Sequence, residues 1–288
     1  MTSTSGGSAG RGLGTISGGW AWHWRALRRR SRWASTCQQI DTFHRQHGPR
    51  GGTLLLLGCS AGWMLSSAWL QTFGRIVAVD PDRWAPHLFA LAHPRVARPA
   101  WIHADALADL ARLLRCYPDA SLLFDNMLGQ QGLIAIDQGR GDARGLEEVE
   151  ESLAGIKQRL AGRCWGSLHD CISGPVRPQS APRQSGSSEN GSRENGSREN
   201  GSSENGSREN GFRENGSGGM PSIAVDRALN TSVLLSRIAA STGVQAHGEW
   251  LDHLTAGIFP ATLARNYLLW RFSRTYWHWL EIGWVDVP

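Results

Sequence analysis

Short, uninterrupted apolar runs recur along the first part of the chain, and a polar or flexible residue follows each of them. An apolar run of this length without alternation is typical of a strand that is buried on both faces of a sheet. Segments with helical periodicity separate the runs, so the pattern predicts a mostly parallel α/β sheet with helices on both faces. The predicted strands are Leu54–Leu57, Arg75–Val79, Ala100–His103, Ser121–Phe124 and Cys164–Leu168.

The segments between the runs predict helices. The first begins in the aromatic and basic sequence WAWHWRALRRRSRW (20–33) and continues over 34–47 to a break at Gly48-Pro49. The helices predicted after it span 62–72, 83–92, 106–116 and 145–161, the last of them stopped by Gly162. Further along, the chain predicts a helix over 223–241 and strands over Val244–Trp250, Leu268–Phe272 and Trp277–Trp284.

Six pentapeptides of the type S-R-E-N-G occupy residues 187–216. Phe212 is the only apolar residue among them, so this repeat does not bury enough surface to offset the entropy of ordering the chain. Because strands are predicted on both sides of the repeat, we expect one domain with an internal disordered insertion. The expected divisions are a disordered tail over 1–19, the first part of the domain over 20–174, a linker over 175–221, and the part completing the domain over 222–288.

The chain carries a formal net charge of +5, which is compatible with a nucleic-acid partner. Lys157 is the only lysine, so the basic excess is almost wholly arginine and supports such a partner only weakly. Segment 20–33 is compatible with a membrane surface or RNA, but a helix that packs its tryptophans on the sheet is the favoured interpretation. No apolar run has the length of a membrane span and residues 1–19 lack the apolar centre of a signal peptide, so a cytoplasmic protein is expected.

Five cysteines are spread over the chain without a C-x-x-C pair, and their number is odd. This is not the pattern of a disulfide framework or of a structural zinc site. The sequence therefore predicts buried or incidental thiols and no metal ion.

Polar or flexible groups follow all five strands predicted in the first part of the chain. They are Gly58-Cys59-Ser60-Ala61-Gly62, Asp80, Asp105, Asp125-Asn126 and His169-Asp170. In a doubly wound sheet, ligands bind outside the carboxyl ends of the strands. An acid after the second strand suits the two hydroxyl groups of a ribose, and Asp80 follows Gly62 by 80 − 62 = 18 positions, close to the ~20 expected for that role.

Four segments, LLLLGCSAGW, IVAVD, HADAL and LLFDN, resemble in sequence and order the class I S-adenosylmethionine-dependent methyltransferases. The resemblance covers about residues 53–172 and, less closely, the part after 223. It implies a seven-stranded, Rossmann-like, doubly wound sheet with an antiparallel last strand, and S-adenosylmethionine as the cofactor. The cofactor-binding residues that it implies are Gly58, Ser60, Gly62, Asp80, Asp105, Ala106 and Asp125.

Methyl transfer requires in-line positioning of the reactants and in some cases a base. Asp125, Asn126 and His169 are the candidate catalytic residues, with a hydrogen-bonded strand terminus as the alternative for His169. No motif specifies the methyl acceptor. A small molecule or a protein side chain is favoured.

Two alternatives remain open. The string Gly58-Cys59-Ser60-Ala61-Gly62 also fits the G-x-S-x-G elbow of an α/β-hydrolase, with Ser60 as the nucleophile and later acids and histidines, such as His169 and His253, as its partners. The succession of polar strand ends favours the methyltransferase interpretation over this esterase. The other alternative is a non-catalytic protein of the same fold, because Leu56 stands where the resemblance expects an acid and Ser60 where it expects a glycine.

Overall fold

The computed structural model describes residues 20–178, 236, 244–246, 248–260, 262–263 and 265–286. These residues contain nine strands: β1 (Thr53–Leu57), β2 (Arg75–Val79), β3 (Ala100–Ile102), β4 (Ser121–Asp125), β5 (Trp165–Pro178), β6 (Val244–Ala246), β7 (Leu251–Asp252), β8 (Arg265–Trp270) and β9 (Tyr276–Val285). The predicted tail over 1–19 and nearly all of the predicted linker and of the helix over 223–241 lie outside the described residues.

The strands form a mixed sheet in the order β3-β2-β1-β4-β5-β9-β8. Neighbours among β1 to β5 are parallel, and β9 is antiparallel to both β5 and β8. The short strands β6 and β7 pair with the far end of β5. The order of the first five strands is that of a doubly wound sheet, which reverses direction between β1 and β4. A mostly parallel α/β sheet with an antiparallel last strand is therefore confirmed.

Seven α-helices occur in the described part of the chain: α1 (Trp20–His47), α2 (Ser67–Leu70), α3 (Ala85–Ala92), α4 (Leu110–Cys116), α5 (Gln131–Asp137), α6 (Ala143–Ala154) and α7 (Ile156–Arg159). Two of these helices begin at a side-chain cap. The Ser66 side chain accepts the amides of Ala68 and Trp69 to cap α2, and the Asp142 side chain accepts the amide of Gly145 to cap α6. None of the helices described here has the length and apolar character needed to cross a membrane.

Two hydrophobic layers enclose the sheet, because alternate residues of a strand point to opposite faces. On one face, Trp33 and Ile40 of α1 join Leu56 of β1 and Trp69 of α2. On the other face, α4, α6 and α7 cover the alternate residues of β1 and β4, such as Leu55. Burial on both sides explains why these strands read as continuous apolar runs.

Three predicted helices are wrong in extent. The segment 62–72 is helical only at α2, because Gly62 lies in the left-handed region at φ +63° and the helix begins only after its Ser66 cap. The segment 145–161 begins earlier, is divided at Gly155 into α6 and α7, and ends at Arg159. The predicted helix over 106–116 forms only from Leu110 onward.

The fifth strand is much longer than predicted. It runs to Pro178, so His169-Asp170 lies inside a strand instead of at its end, and residues 175–178 belong to the sheet and not to a linker. The reason is β9, which pairs with β5 from Trp165 to Pro175 with a register shift between Asp170 and Ile172. In the C-terminal part, β6 is shorter than predicted and β8 ends at Trp270.

Candidate functional site

The loop after β1 contains three residues in the left-handed region. Gly58, Ser60 and Gly62 have φ angles of +66°, +49° and +63°. A Cβ atom on Gly58 would lie 2.6 Å from the Cβ atom of Met127. Both this clash and the positive φ angle disfavour a side chain at this position. Ser60 tolerates a conformation that costs an L-residue about 1–2 kcal/mol.

The loop is joined to the end of β2 through Asp80. The backbone amide of Ser60 donates to Asp80 Oδ2 at 2.7 Å, and the amide of Asp82 donates to Oδ1 at 2.8 Å. Burial raises the pKa of Asp80, although these two hydrogen bonds oppose it. Each carboxylate oxygen has a second lone pair that these bonds leave available.

Asp125, the last residue of β4, is a buried carboxylate with only 7% of its surface exposed. Burial and, secondarily, the charge of Asp80 raise its pKa to about 7. None of the residues that the structure describes donates a hydrogen bond to this carboxylate. The two acids thus lie at the ends of β2 and β4, on either side of β1 and its loop, and the charge of Asp80 acts on Asp125.

Asn126 follows Asp125 with a left-handed φ of +58°. Its backbone N–H donates to the carbonyl oxygen of Leu168 at 2.7 Å, and its side-chain Oδ1 accepts the backbone N–H of Asp170 at 3.1 Å. Asn126 therefore ties the end of β4 to the middle of β5.

Asp105 and Ala106 follow β3. The Asp105 carboxylate is exposed and accepts the amides of Leu107 and Ala108 at 2.9 and 3.1 Å, so it stabilises the turn before α4. Ala106 is buried in the core. Asp105 keeps lone pairs for a further donor.

His169 lies apart from these groups. Its ring is fully buried and contacts Ser167 at Nδ1 and Glu281 at Nε2, at 2.9 and 3.1 Å. On β5 it points to the face opposite Asp170, the residue whose amide Asn126 accepts. The structure therefore brings together the loop, Asp80, Asp125 and Asn126, but not His169.

His23 of α1, which the sequence did not single out, covers Ser60. Its Nε2 lies 2.8 Å from Asp82 Oδ2 and 3.5 Å from Ser60 Oγ, while its Nδ1 accepts the indole N–H of Trp63 at 3.0 Å. Because Nδ1 accepts, the proton of the neutral ring is on Nε2 and is directed to Asp82. No lone pair of His23 faces the Ser60 hydroxyl, so this geometry does not activate a nucleophile.

Leu56 is fully buried in the layer shared with α1. The place of the expected acid is thus part of the hydrophobic core. A groove of about 410 Å³ lies at the opposite end of the strands, near the start of β2. It is lined by Arg75, Arg95, Arg98 and neighbouring residues. It is remote from the loop, because Arg75 begins β2 and Asp80 follows its end.

The fold and the geometry define a doubly wound, mostly parallel α/β protein with two acids, Asp80 and Asp125, near the reversal of strand order. No family model and no curated protein matches the chain. Two solved structures of the N-methyltransferase NodS from Bradyrhizobium japonicum WM9 are similar over 51% of this chain. The complex with S-adenosyl-L-homocysteine is 14% identical over 60% of its own length with a TM-score of 0.27, and the other structure is 11% identical over 66% with a TM-score of 0.25. The chain thus spans less than two thirds of either, and TM-scores this low carry no weight, so the fold class rests on the strand order.

Proposed function

We propose that the protein is an S-adenosylmethionine-dependent methyltransferase that binds the ribose of its cofactor through Asp80. The observation that carries this proposal is the hydrogen bond from the Ser60 amide to the Asp80 carboxylate. It fixes a loop of left-handed residues against the end of the neighbouring strand, where the strand order reverses. Nucleotides bind at this place in doubly wound sheets.

The residues present fit such a cofactor in two respects. Asp80 has lone pairs left for ribose hydroxyl groups after accepting two backbone amides. Asp125 is a largely buried carboxylate that lacks a hydrogen-bond donor among the described residues, and its oxygen atoms keep enough accessible surface for a ligand to supply a donor or a positive charge. Asp105 and Ala106 would border the adenine, with Gly58 and Gly62 giving the backbone room to approach.

When bound, S-adenosylmethionine supplies a methyl group activated by a positively charged sulfur. Asp125 and Asn126 would orient the acceptor. With its pKa near 7, Asp125 has the proton affinity suited to removing a proton from an N–H or O–H group at neutral pH. The acceptor is a small molecule or a protein side chain. His169, fully buried between Ser167 and Glu281, has a structural role in this proposal.

Isothermal titration calorimetry with S-adenosylmethionine and with its demethylated product tests the proposal. We expect both to bind, and Asp80→Ala to weaken binding at least tenfold because the ribose acceptor is lost. Asp109→Ala is the matched control, since Asp109 is a surface acid paired with Arg112.

The absence of heat and of a thermal shift at millimolar ligand would overturn the proposal. If a partner protein then co-purifies in stoichiometric amount, the non-catalytic alternative is favoured. Equal binding by Asp80→Ala and wild type would place the nucleotide elsewhere.

A further inference from the structure

Three potential metal ligands from distant parts of the chain converge beside the end of β4. They are Asp170 of β5, His253 just after β7, and His278 of β9, and each offers a ligand atom within 4.8 Å of the other two. Asp170 and His253 are buried, and the His278 side chain is 13% exposed. Asp170 Oδ1 lies 3.0 Å from His278 Nδ1.

The neighbours of His253 determine which of its two ring nitrogens carries the proton in the neutral form. Its Nδ1 lies 2.6 Å from the carbonyl oxygen of Gly129, which only accepts, so Nδ1 carries the proton. Nε2 of the neutral ring therefore presents a lone pair, which the Ser173 hydroxyl occupies at 2.9 Å. A histidine whose other nitrogen donates to a backbone carbonyl is oriented as metal-binding histidines usually are.

The surroundings of Asp170 also favour a cation. No arginine or lysine among the described residues forms an ion pair with its carboxylate. The other candidate group, His169, Cys171 and Glu281, differs in this respect, because Arg265 forms a 3.0 Å ion pair with Glu281 and already supplies a positive charge. Of the two clusters, the one at Asp170 is thus the better metal site.

We propose that Asp170, His253 and His278 bind one divalent transition-metal ion of the zinc and iron(II) type. Two imidazoles and one carboxylate form the donor set of catalytic zinc and non-haem iron sites, which keep coordination positions open for a substrate or water. Ligands bound at about 2.1 Å to one ion are roughly 3.0 Å apart in octahedral and 3.4 Å apart in tetrahedral geometry, so the 3.0 Å between Asp170 and His278 suits a shared ion. The ion takes the place of the hydrogen bond between these two side chains, and the proton of the neutral His278 ring moves from Nδ1 to Nε2. Ser173 turns from His253 to Tyr276, whose hydroxyl lies 3.1 Å from Ser173 Oγ.

The sequence predicted no metal ion because its cysteines lack the spacing of a metal site. These ligands are a carboxylate and two imidazoles that are 83 and 108 positions away from it (253 − 170 and 278 − 170). The amide of Asp170 donates to Asn126 Oδ1, so the ion lies next to the proposed acceptor site. One consequence rests on the proposed function: a methyl acceptor would bind the ion at this position through an oxygen atom. The binding of metal itself does not depend on that function.

The experiment titrates Zn²⁺ into the chelator-treated full chain, without cofactor, by calorimetry and by competition with a chromophoric chelator. We expect one equivalent to bind, and both Asp170→Asn and His253→Gln to weaken binding at least tenfold. His87→Gln controls for surface histidines, since His87 is exposed. No binding of Zn²⁺ at 1 mM, or equal affinity in wild type and both ligand variants, would overturn the proposal.

Two further variants separate ligation from loss of structure. Ser173→Ala removes the hydroxyl that competes for His253 Nε2, so it should bind Zn²⁺ at least as tightly as wild type. A tenfold loss of Zn²⁺ affinity in Ser173→Ala would show that binding depends on an intact hydrogen-bond network and not on ligation, and would contradict the proposal.

Cys171→Ser should leave the affinity for Zn²⁺ unchanged, and the Co²⁺-loaded protein should lack a thiolate charge-transfer band. A band that Cys171→Ser abolishes would move the ion to the other cluster. Zn²⁺ should also raise the melting temperature of wild type but not of His253→Gln.

Discussion

The backbone amide of Ser60 donates a 2.7 Å hydrogen bond to the carboxylate of Asp80, twenty positions further along the chain. The serine thus acts through its main chain, while its hydroxyl has only a 3.5 Å contact with His23. The contrast between the strong bond of the amide and the weak contact of the hydroxyl distinguishes the two interpretations of the G-C-S-A-G string. A cofactor loop needs the amide, whereas a hydrolase needs the hydroxyl.

Replacing Ser60 by alanine should therefore have little effect. The amide and its bond to Asp80 remain, so we expect the free energy of unfolding to change by less than about 0.5 kcal/mol, as for substitutions that remove no buried partner. Urea denaturation measures this change. A fluorophosphonate probe should not label the folded wild-type protein, because His23 presents no base to the hydroxyl. Covalent labelling of Ser60 that Ser60→Ala abolishes would restore the hydrolase interpretation.

The tightness of the loop is tested at Gly58. Gly58→Ala adds a side chain at a left-handed φ of +66° and 2.6 Å from the Met127 Cβ atom. Gly51→Ala is the matched control, because Gly51 has a φ of +71° and no atom within 4 Å of an added Cβ. Both variants incur the backbone cost of about 1–2 kcal/mol, and Gly58→Ala should lose a further 1–3 kcal/mol from overpacking. Chemical denaturation of both variants gives the comparison, and equal losses would show that Met127 moves aside freely.

The strands of the sheet were the most predictable part of the fold. Leu54–Leu57 and its parallel neighbours are buried on both faces, so composition alone marks them. The length of β5 was not predictable, because its far half is held by β9, whose paired residues lie about a hundred positions later. The same holds for the site. Asp80 and Asp125 were identifiable from the strands that precede them.

His23 was not identifiable, because it approaches from another element. Only the tertiary fold shows that His169 lies on the face of β5 opposite Asp170.

The buried Asp125 carboxylate should make stability depend on pH. Burial, with Asp80 as a second cause, raises its pKa to about 7 in the folded protein, from the ordinary value of 3.8. The folded state therefore binds this proton more tightly than the unfolded state. The stabilisation is fully present below pH 4 and is lost as the pH rises through 7, at most by about 1.4 kcal/mol per pH unit. His44 acts in the opposite direction, because burial lowers its pKa to about 3, so stability is lost as the pH falls below 6.5.

Asp125→Asn separates the contribution of this carboxylate from that of His44, since His44 contributes equally to wild type and variant. The amide does not ionise, so the variant should gain stability over wild type as the pH rises from 5 to 8, by an amount on the order of 3 kcal/mol. Urea denaturation of both proteins at half-unit pH intervals measures the difference. Asp119→Asn, at an exposed aspartate, should show no such trend. A difference between Asp125→Asn and wild type that stays constant from pH 5 to 8 would mean that Asp125 is already ionised at pH 5, and would remove it as a base of near-neutral pKa.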